Sequence, residues 1–334
     1  MKTFLSKLGR LILVVVVVTF LTQVLTSLVP GNLEDILAPC SETPTSTGEV
    51  TPAQQDAIDA CKEVHAKIRS EAGLDKNIFA RYGMWLGNFV RGDLGQRYSS
   101  TTSSQPVGPE VKRALPISLE LMLWAQLLAL AIAIPLGVIA AYRPGKIIDR
   151  IISAGAFALL AMPAFALGLI LAAYLGAQAD LLPVLGYANW SAGVWEHLKY
   201  LVIPIIALSA GQIAVYLRLL RSDLIATLQQ DFIAMAKAKG LSPRRILWRH
   251  ALRPSSLTLL TVAGLQTGAL IGGAVVIEVI FGIPGLGSML GAAILKRQYI
   301  EMQSLVAIVA IIFVLVNFLV DYLYNILDPR LRHG

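Results

Sequence analysis

Six apolar stretches, each longer than twenty residues, constrain this 334-residue chain more than any motif in it: Leu8–Val29, Ser118–Tyr142, Ile151–Gly176, Tyr200–Leu220, Leu257–Phe281 and Leu305–Leu327. About 20 apolar residues in helical form cross the ~30 Å hydrocarbon core of a bilayer. Lipid offers no partner for an open backbone, so runs of this length predict transmembrane helices. Pro135, Pro163, Pro204, Gly272 and Gly273 fall inside them, which membrane helices tolerate because neighbouring helices satisfy the freed backbone groups. Composition agrees. Hydrophobic residues make up 56%, mean hydropathy is +0.67 and only 15% of residues are charged, against about a quarter in soluble domains. The expected fold is an all-α integral membrane protein with six transmembrane helices. The first run also admits a signal peptide, since Lys2, Lys7 and Arg10 precede its apolar core. Its core is longer than a typical h-region and no A-x-A-like cleavage site follows, so it is read as a retained helix.

Orientation follows from Lys and Arg near the helix ends. With the N-terminus in the cytoplasm, the inner segments carry sixteen basic residues. These lie in the N-tail, in Arg143, Lys146 and Arg150, across 218–253, and at Arg330 and Arg332. The short outer loops hold only Lys199, Lys296 and Arg297. Both termini are therefore expected inside. The net charge of +7 reflects this topology and gives little reason to invoke nucleic acid.

Residues 30–117, after the N-tail and first helix of 1–29, read as a small extracytoplasmic segment. Thr51, Pro52 and Gln54 form the N-cap, N1 and N3 of a capping box. Ile58, Cys61, His65, Ile68 and Ala72 recur at helical spacing and Gly73 suits the C-cap. Cys40 and Cys61 are the only cysteines, and both fall on the oxidising side, where a disulfide between them is expected. A buried free thiol at 61 is the other reading.

The chemistry of an enzyme is missing from the sequence. There is no GxxxxGK followed by Ser or Thr, no HExxH and no GxSxG. The four histidines (His65, His197, His250, His333) are scattered, without metal-ligand spacing. GIPGLGSMLG (282–291) has no βαβ surroundings and reads as a tight re-entry turn at the outer end of the fifth helix. No catalytic residue, metal site or bound cofactor is expected.

Against this background DFIAMAKAKGLSPRRILWRH (231–250) stands out, with five Lys/Arg against one Asp. Asp231 to Lys239 predicts a short helix with charges matched to its dipole. Gly240 and Leu241 suit a Schellman close. Ser242 and Pro243 start a second short helix that runs through Ile246, Leu247 and Trp248 toward Pro254. A solvated anchoring loop and an anionic-lipid contact, attractive by about 1 kcal/mol per basic residue, both compete as explanations. The small apolar residues Ala234, Ala236 and Ala238 beside Phe232, Ile233 and Met235 point instead to a protein that approaches closely.

The pattern A-M-A-x-x-x-G followed by an apolar-basic helix resembles the EAA loop of ABC-importer permease subunits. Further segments narrow the resemblance to the bacterial oligopeptide/dipeptide permease family. They are VPG (29–31), GLD (73–75), RYGMWLGNFVRGDLGQ (81–96), LPISLEL (115–121), IPLGVIAAY (134–142), GGAVVIEVIFGIPGLG (272–287) and LVNFLVDYLYNILDPRLR (315–332). The match is to the subunit with the larger outer segment. Three features depart from the pattern. Ala234 replaces the motif's Glu, the closing Pro comes one place late at Pro254, and Asn32 stands where an acid is usual. The stretch from about Pro39 to Cys61 reads as an insertion.

What the resemblance implies is a type I ABC importer permease in the bacterial inner membrane. It would have a five-helix core over 118–334 and a coupling loop at 223–254 that docks on the ATPase through Asp231, Phe232, Ala234, Met235, Ala236, Lys239, Gly240, Leu241, Ser242 and Pro243. Implied partners are a second, unlike permease, two ATPase subunits that bind ATP and Mg, and an extracytoplasmic substrate-binding protein. Polar residues inside spans are pathway candidates, because ionisable groups there are costly: Gln212, Gln266 and Glu278. A structural helix-pairing role competes for Glu278. Glu120 and Asp321, near helix ends, are expected to meet headgroups or an Arg. The implied cargo is a peptide; nickel, glutathione or another small solute is the alternative. An ion-coupled secondary transporter would show an inverted repeat and charges deep in several spans, and neither is seen.

Overall fold

The structure, a computed structural model, describes residues 2–28, 51–73, 75–100 and 103–327. Among the described residues the regular structure is helical except for one two-stranded hairpin. Its internal contacts divide it into two units, residues 1–115 with 289–312, and residues 116–288 with 313–334.

The first unit holds α1 (Lys2–Ser27), α2 (Pro52–Ala72), α3 (Ile78–Val90), strands β1 (Gln96–Ser100) and β2 (Ser103–Pro106), and the first turns of α4 (Val107–Tyr142). Helix α2 has the ends its sequence calls for. Gln54 N–H donates to Thr51 Oγ1 at 3.4 Å, Thr51 N–H donates to Gln54 Oε1 at 3.0 Å, and Gly73 closes the helix at φ +62°. Its stripe of Ile58, Cys61, His65 and Ile68 is buried; the side chain of Ala72 lies outside the described residues. Helix α3 starts at Asn77, whose Oδ1 accepts from Ala80 N–H at 2.8 Å. Tyr82 and Trp85 on its inner face pack with Val16 and Phe20 of α1 and with Ala307 of α13 (Tyr299–Leu327). Trp85 Nε1–H donates to Ser304 Oγ at 3.1 Å, and the Tyr82 and Thr19 hydroxyls lie 2.8 Å apart. The β1–β2 hairpin is antiparallel with an irregular step between Tyr98 and Ser100. It is a local addition to an otherwise all-α fold, and α4 begins at Val107, eleven residues before the apolar run that marks it in sequence.

The second unit is organised around α7 (Val194–Thr227). Two-thirds (67%) of its most apolar window is buried, against 33% for α4, so α7 is the inner helix and α4 lies outside it. Around α7 pack α5 (Ile147–Ala161), α6 (Ala164–Leu171), α10 (Leu252–Leu265) and α11 (Thr267–Phe281). Two apolar clusters fill the unit. One joins Ala129, Ala133, Val138, Tyr216, Leu220 and Leu224; the other joins Leu121, Ala125, Ile203, Ala207, Ile277 and Phe281. Alanine recurs at these contacts because, in lipid, helices associate through close van der Waals approach and not through escape from water.

Two of the expected spans are broken. The third run is not one helix: α5 and α6 with its π-helical continuation to Gln178 meet at 99°. Met162 is extended there at φ −98°, ψ 120°, because the ring of Pro163 drives the preceding residue out of the helical region. The fifth run bends by 45° at Gln266 between α10 and α11. At that point Thr267 Oγ1 donates to the Ala263 carbonyl at 3.3 Å, a back-bond of the kind that bends helices. Among the described residues, three helices are long and apolar enough to cross a membrane, and up to five if each bent pair is one span; Ile12–Ser27 of α1 is a shorter apolar helix. The chain is a multi-pass membrane protein.

Candidate functional site

The basic segment forms α8 (Asp231–Ala238), the turn at Gly240, and a second helical segment that begins as α9 (Pro243–Arg245). The turn is a complete Schellman close. Leu241 N–H donates to the Ala236 carbonyl at 3.3 Å and Gly240 N–H to the Lys237 carbonyl at 2.9 Å, with Gly240 at φ +71°. Ser242 takes the extended N-cap conformation, but its hydroxyl makes no capping bond.

The second helix differs from expectation. It does not stop before Pro254; it passes through a π-helical stretch (Ile246–Ala251) straight into α10. Pro254 has no N–H to give the His250 carbonyl, and its ring needs room beside that carbonyl. A wider turn just before the proline supplies the room. Pro243–Leu265 is thus one rod of about 34 Å at 1.5 Å per residue.

Burial sorts the expected docking residues into two faces. Ile233 (0% exposed) and Ala236 (7%) of α8 enter the core cluster beside Ile246, Leu247 and Ala251, and Leu241 packs against the same cluster. Phe232 (41%) and Met235 (59%) stand out from it, as does Trp248 (46%) on the second helix. Asp231, Ala234, Lys239, Gly240, Ser242 and Pro243 are exposed. Ala236 is therefore an anchor and not part of an outward small-residue face, since α8 turns one of its three faces to the core every third to fourth residue. A shallow groove of about 570 Å³ beside the outward face is lined by Ser242, Arg244, Arg245 and Trp248.

This end of the unit is held by an ion pair that the sequence gives no sign of. Arg221 donates to both carboxylate oxygens of Asp149, at 2.7 Å from Nη2 to Oδ2, and Gly145 N–H donates to Oδ2 at 2.7 Å. The pair fastens the 143–150 turn to the end of α7, 72 residues further along the chain.

The polar residues of the spans fall into two places. Gln212 is buried (5% exposed) and its Nε2 reaches the Gln266 carbonyl at a long 3.5 Å, at the bend between α10 and α11. Gln212 Oε1 has no hydrogen-bond partner among the described residues. Glu278 lies apart from them, fully buried near the end of α11. Its Oε1 accepts from Ser118 Oγ at 2.6 Å, and its Oε2 accepts from Ser288 N–H at 3.1 Å, with Gly287 N–H a further donor. Ser118 Oγ in turn accepts from Leu286 N–H at 2.8 Å. These amides are the first of α12 (Leu286–Leu295), so the carboxylate caps that helix from a distance and meets its positive end. No Lys or Arg pairs with it among the described residues. Gly285 and Gly287 make the approach possible: a Cβ at Gly285 would overlap the carboxylate, and one at Gly287 would lie 2.8 Å from Oε2. Gly282 to Gly285 form a tight turn beside the buried acid, and the rest of the glycine-rich stretch is the start of α12.

Glu120 lies beside His197 and Trp190. Its Oε1 faces His197 Nε2 at 2.7 Å, and Trp190 Nε1–H donates to its Oε2 at 3.3 Å. The side chain of Asp321 lies outside the described residues, as does Cys40. Cys61 is buried beside His65, with Sγ 3.9 Å from Nε2, and is not a free thiol. In the first unit Arg97 joins Glu110 at 2.6 Å and donates from Nε to Glu301 Oε2 at 2.7 Å. The hydrogen bond to Glu301 holds its guanidinium above the ordinary arginine range. The pairs made by Glu120 and Arg97 have no local sequence signature, because the partners are 13 to more than 200 residues apart.

Comparison with known proteins fits this arrangement. A family model described as binding-protein-dependent transport system inner membrane component matches residues 133–333. The chain is 34% identical to the di/tripeptide transport system permease protein DppB of Pseudomonas aeruginosa, over 100% of this chain and 99% of that one. It is 32% identical to the dipeptide transport system permease protein DppB of Escherichia coli, with the same coverage of each. Among solved structures, an inward-facing form of the MetNI methionine ABC transporter aligns with a TM-score of 0.55 at 18% identity, over 68% of this chain and 100% of that one.

Proposed function

The chain belongs to the family of binding-protein-dependent transport system inner membrane components, and we infer from that membership that it is the permease subunit of an ATP-driven ABC importer of peptides. Relatives named as dipeptide or di/tripeptide permeases match it from end to end, and that observation carries the cargo assignment. The functional unit pairs this chain with a second, unlike permease, two ATPase subunits and an extracytoplasmic binding protein. ATP and Mg are held by the ATPases; this chain supplies no catalytic group. Six spans place both termini in the cytoplasm and the segment 30–117 outside, where Cys40 and Cys61 form a disulfide.

The two faces of α8 support the mechanism. Phe232, Met235 and Trp248 form the contact with an ATPase groove, while Ile233 and Ala236 bind α8 to the permease core. Closure of the ATPase pair then moves α8, the Gly240 corner and the Pro243–Leu265 rod as one body, the rigid-body type of switching. The rod reaches the bend at Gln266, where Gln212 lines the pathway. Beyond the bend α11 leads to Glu278, which acts on the outer gate through the turn it holds and does not touch cargo.

Uptake of a labelled dipeptide by cells that lack this gene and then regain it tests the function. Uptake restored only with the gene is the expected result. Unchanged dipeptide uptake, alongside a lost uptake of nickel or glutathione, overturns the cargo assignment.

A further inference from the structure

His197 is a buried imidazole with acceptors at both ring nitrogens. Its side chain is 0% exposed. Nδ1 lies 2.6 Å from the Ala188 carbonyl oxygen and Nε2 lies 2.7 Å from Glu120 Oε1. A neutral imidazole has one N–H and one lone pair, so it satisfies only one of these two bonds by itself. The second requires one more proton, on the ring or on the carboxyl between them. Buried polar groups left facing like groups are costly, so the geometry has a place for that proton.

We propose that Glu120 and His197 form a binding site for a single shared proton, which fastens the connection 179–193 to α4 and α7. The connection carries every other group in the cluster. Trp190 stacks on the imidazole with centroids 4.1 Å apart and planes 27° from parallel, and Tyr187 meets it edge-on at 5.4 Å. The Tyr187 phenol is pushed up by burial and then by the charge of Glu120, so it stays protonated while the pair titrates. On α7 itself, Glu196 and Lys199 pair with each other at 3.2 Å. A further backbone tie from this connection to a distant element runs from Gly186 N–H to the Phe281 carbonyl at 2.8 Å. Loss of the proton to solvent leaves Nδ1–H on Ala188 and sets the Nε2 lone pair against the ionised Glu120. The fastening at 188–190 then weakens while that at Gly186 persists.

The stacked indole reports the event, because an imidazolium in contact with an indole quenches its emission and a neutral imidazole does so far less. The full chain in detergent or nanodiscs is titrated between about pH 5 and pH 10. Trp190→Phe, titrated in parallel, isolates the Trp190 signal from the other tryptophans. The expected difference signal is dim at low pH and brightens as pH rises through one proton's titration. Glu120→Gln removes the negative partner and moves the midpoint toward acid. His197→Phe abolishes the transition. A difference signal that does not change with pH overturns the proposal, and so does a midpoint unmoved in Glu120→Gln, the variant that keeps size and hydrogen-bonding capacity should His197→Phe fail to fold.

Discussion

At the scale of single residues, Gly240 and Glu278 show two opposite ways of holding a turn. Gly240 has open space around it, with nothing within 4 Å of a built Cβ, yet its φ is +71°. A Cβ at Gly240 meets no neighbour, so the expected cost of Gly240→Val is backbone strain, about 1–2 kcal/mol. The expected phenotype is ATP hydrolysis with little uptake, since the corner between α8 and the rod no longer holds its angle. Normal uptake at normal expression would remove Gly240 from the mechanism. Glu278 is the opposite case, crowded on every side. Glu278→Ala leaves two helix-start amides and Ser118 without their acceptor, at about 1–3 kcal/mol. Gly285→Ala forces the same carboxylate away. Both variants should lower the thermal unfolding midpoint in detergent while leaving association with the ATPase intact. An unchanged midpoint in both shows that the turn does not depend on the acid. Sequence alone placed Glu278 in a span and weighed a gate against a structural role. It could not reveal Ser118 as partner, 160 positions away.

At the scale of elements, what was legible followed from local chemistry. The capping box at Thr51, the Gly73 close and the Schellman turn at Gly240 all stand as their residues dictate, because each is decided within six positions. The breaks were less legible. Pro163 reads in sequence as one more tolerated membrane proline, yet it turns the chain by 99°, while Pro116, Pro135 and Pro204 sit inside unbroken helices. The hairpin of QRYSS and SSQP was missed because it has no apolar alternation; Arg97 ties it to Glu110 and Glu301 instead. Helix α8 shows the same limit, since its composition marked a docking element without saying which residues face out. The structure makes that division testable. Ile233→Ala removes a fully buried side chain and should cost about 2–5 kcal/mol of stability. Met235→Arg, on the exposed face, should leave stability within about 0.5 kcal/mol and abolish co-purification of the ATPase. If Met235→Arg retains a stoichiometric ATPase, the contact lies elsewhere.

At the scale of the whole molecule, packing gives the segregation of charge a second support. The 143–150 turn and the end of α7 are joined through Asp149 and Arg221, and Val138 and Ala141 share a cluster with Ile233, Ala236 and Ile246. Arg143, Lys146 and Arg150 therefore belong to the same end of the second unit as the eight basic residues of 218–253. Glu120, His197 and Trp190 gather away from it, at the far ends of α4 and α7. One orientation puts the basic end in the cytoplasm, and a labelling experiment decides it. Single cysteines are introduced as Lys146→Cys, Ser242→Cys or Ser191→Cys, all at exposed positions, in a chain carrying Cys40→Ser and Cys61→Ser. A membrane-impermeant maleimide applied to intact spheroplasts should label the cysteine at 191 and leave those at 146 and 242 unmodified until the membrane is opened. Labelling at 242 from outside would place α8 on the side without ATP. The orientation and the coupling mechanism would then fall together, because a helix that faces away from the cytoplasm has no ATPase to meet.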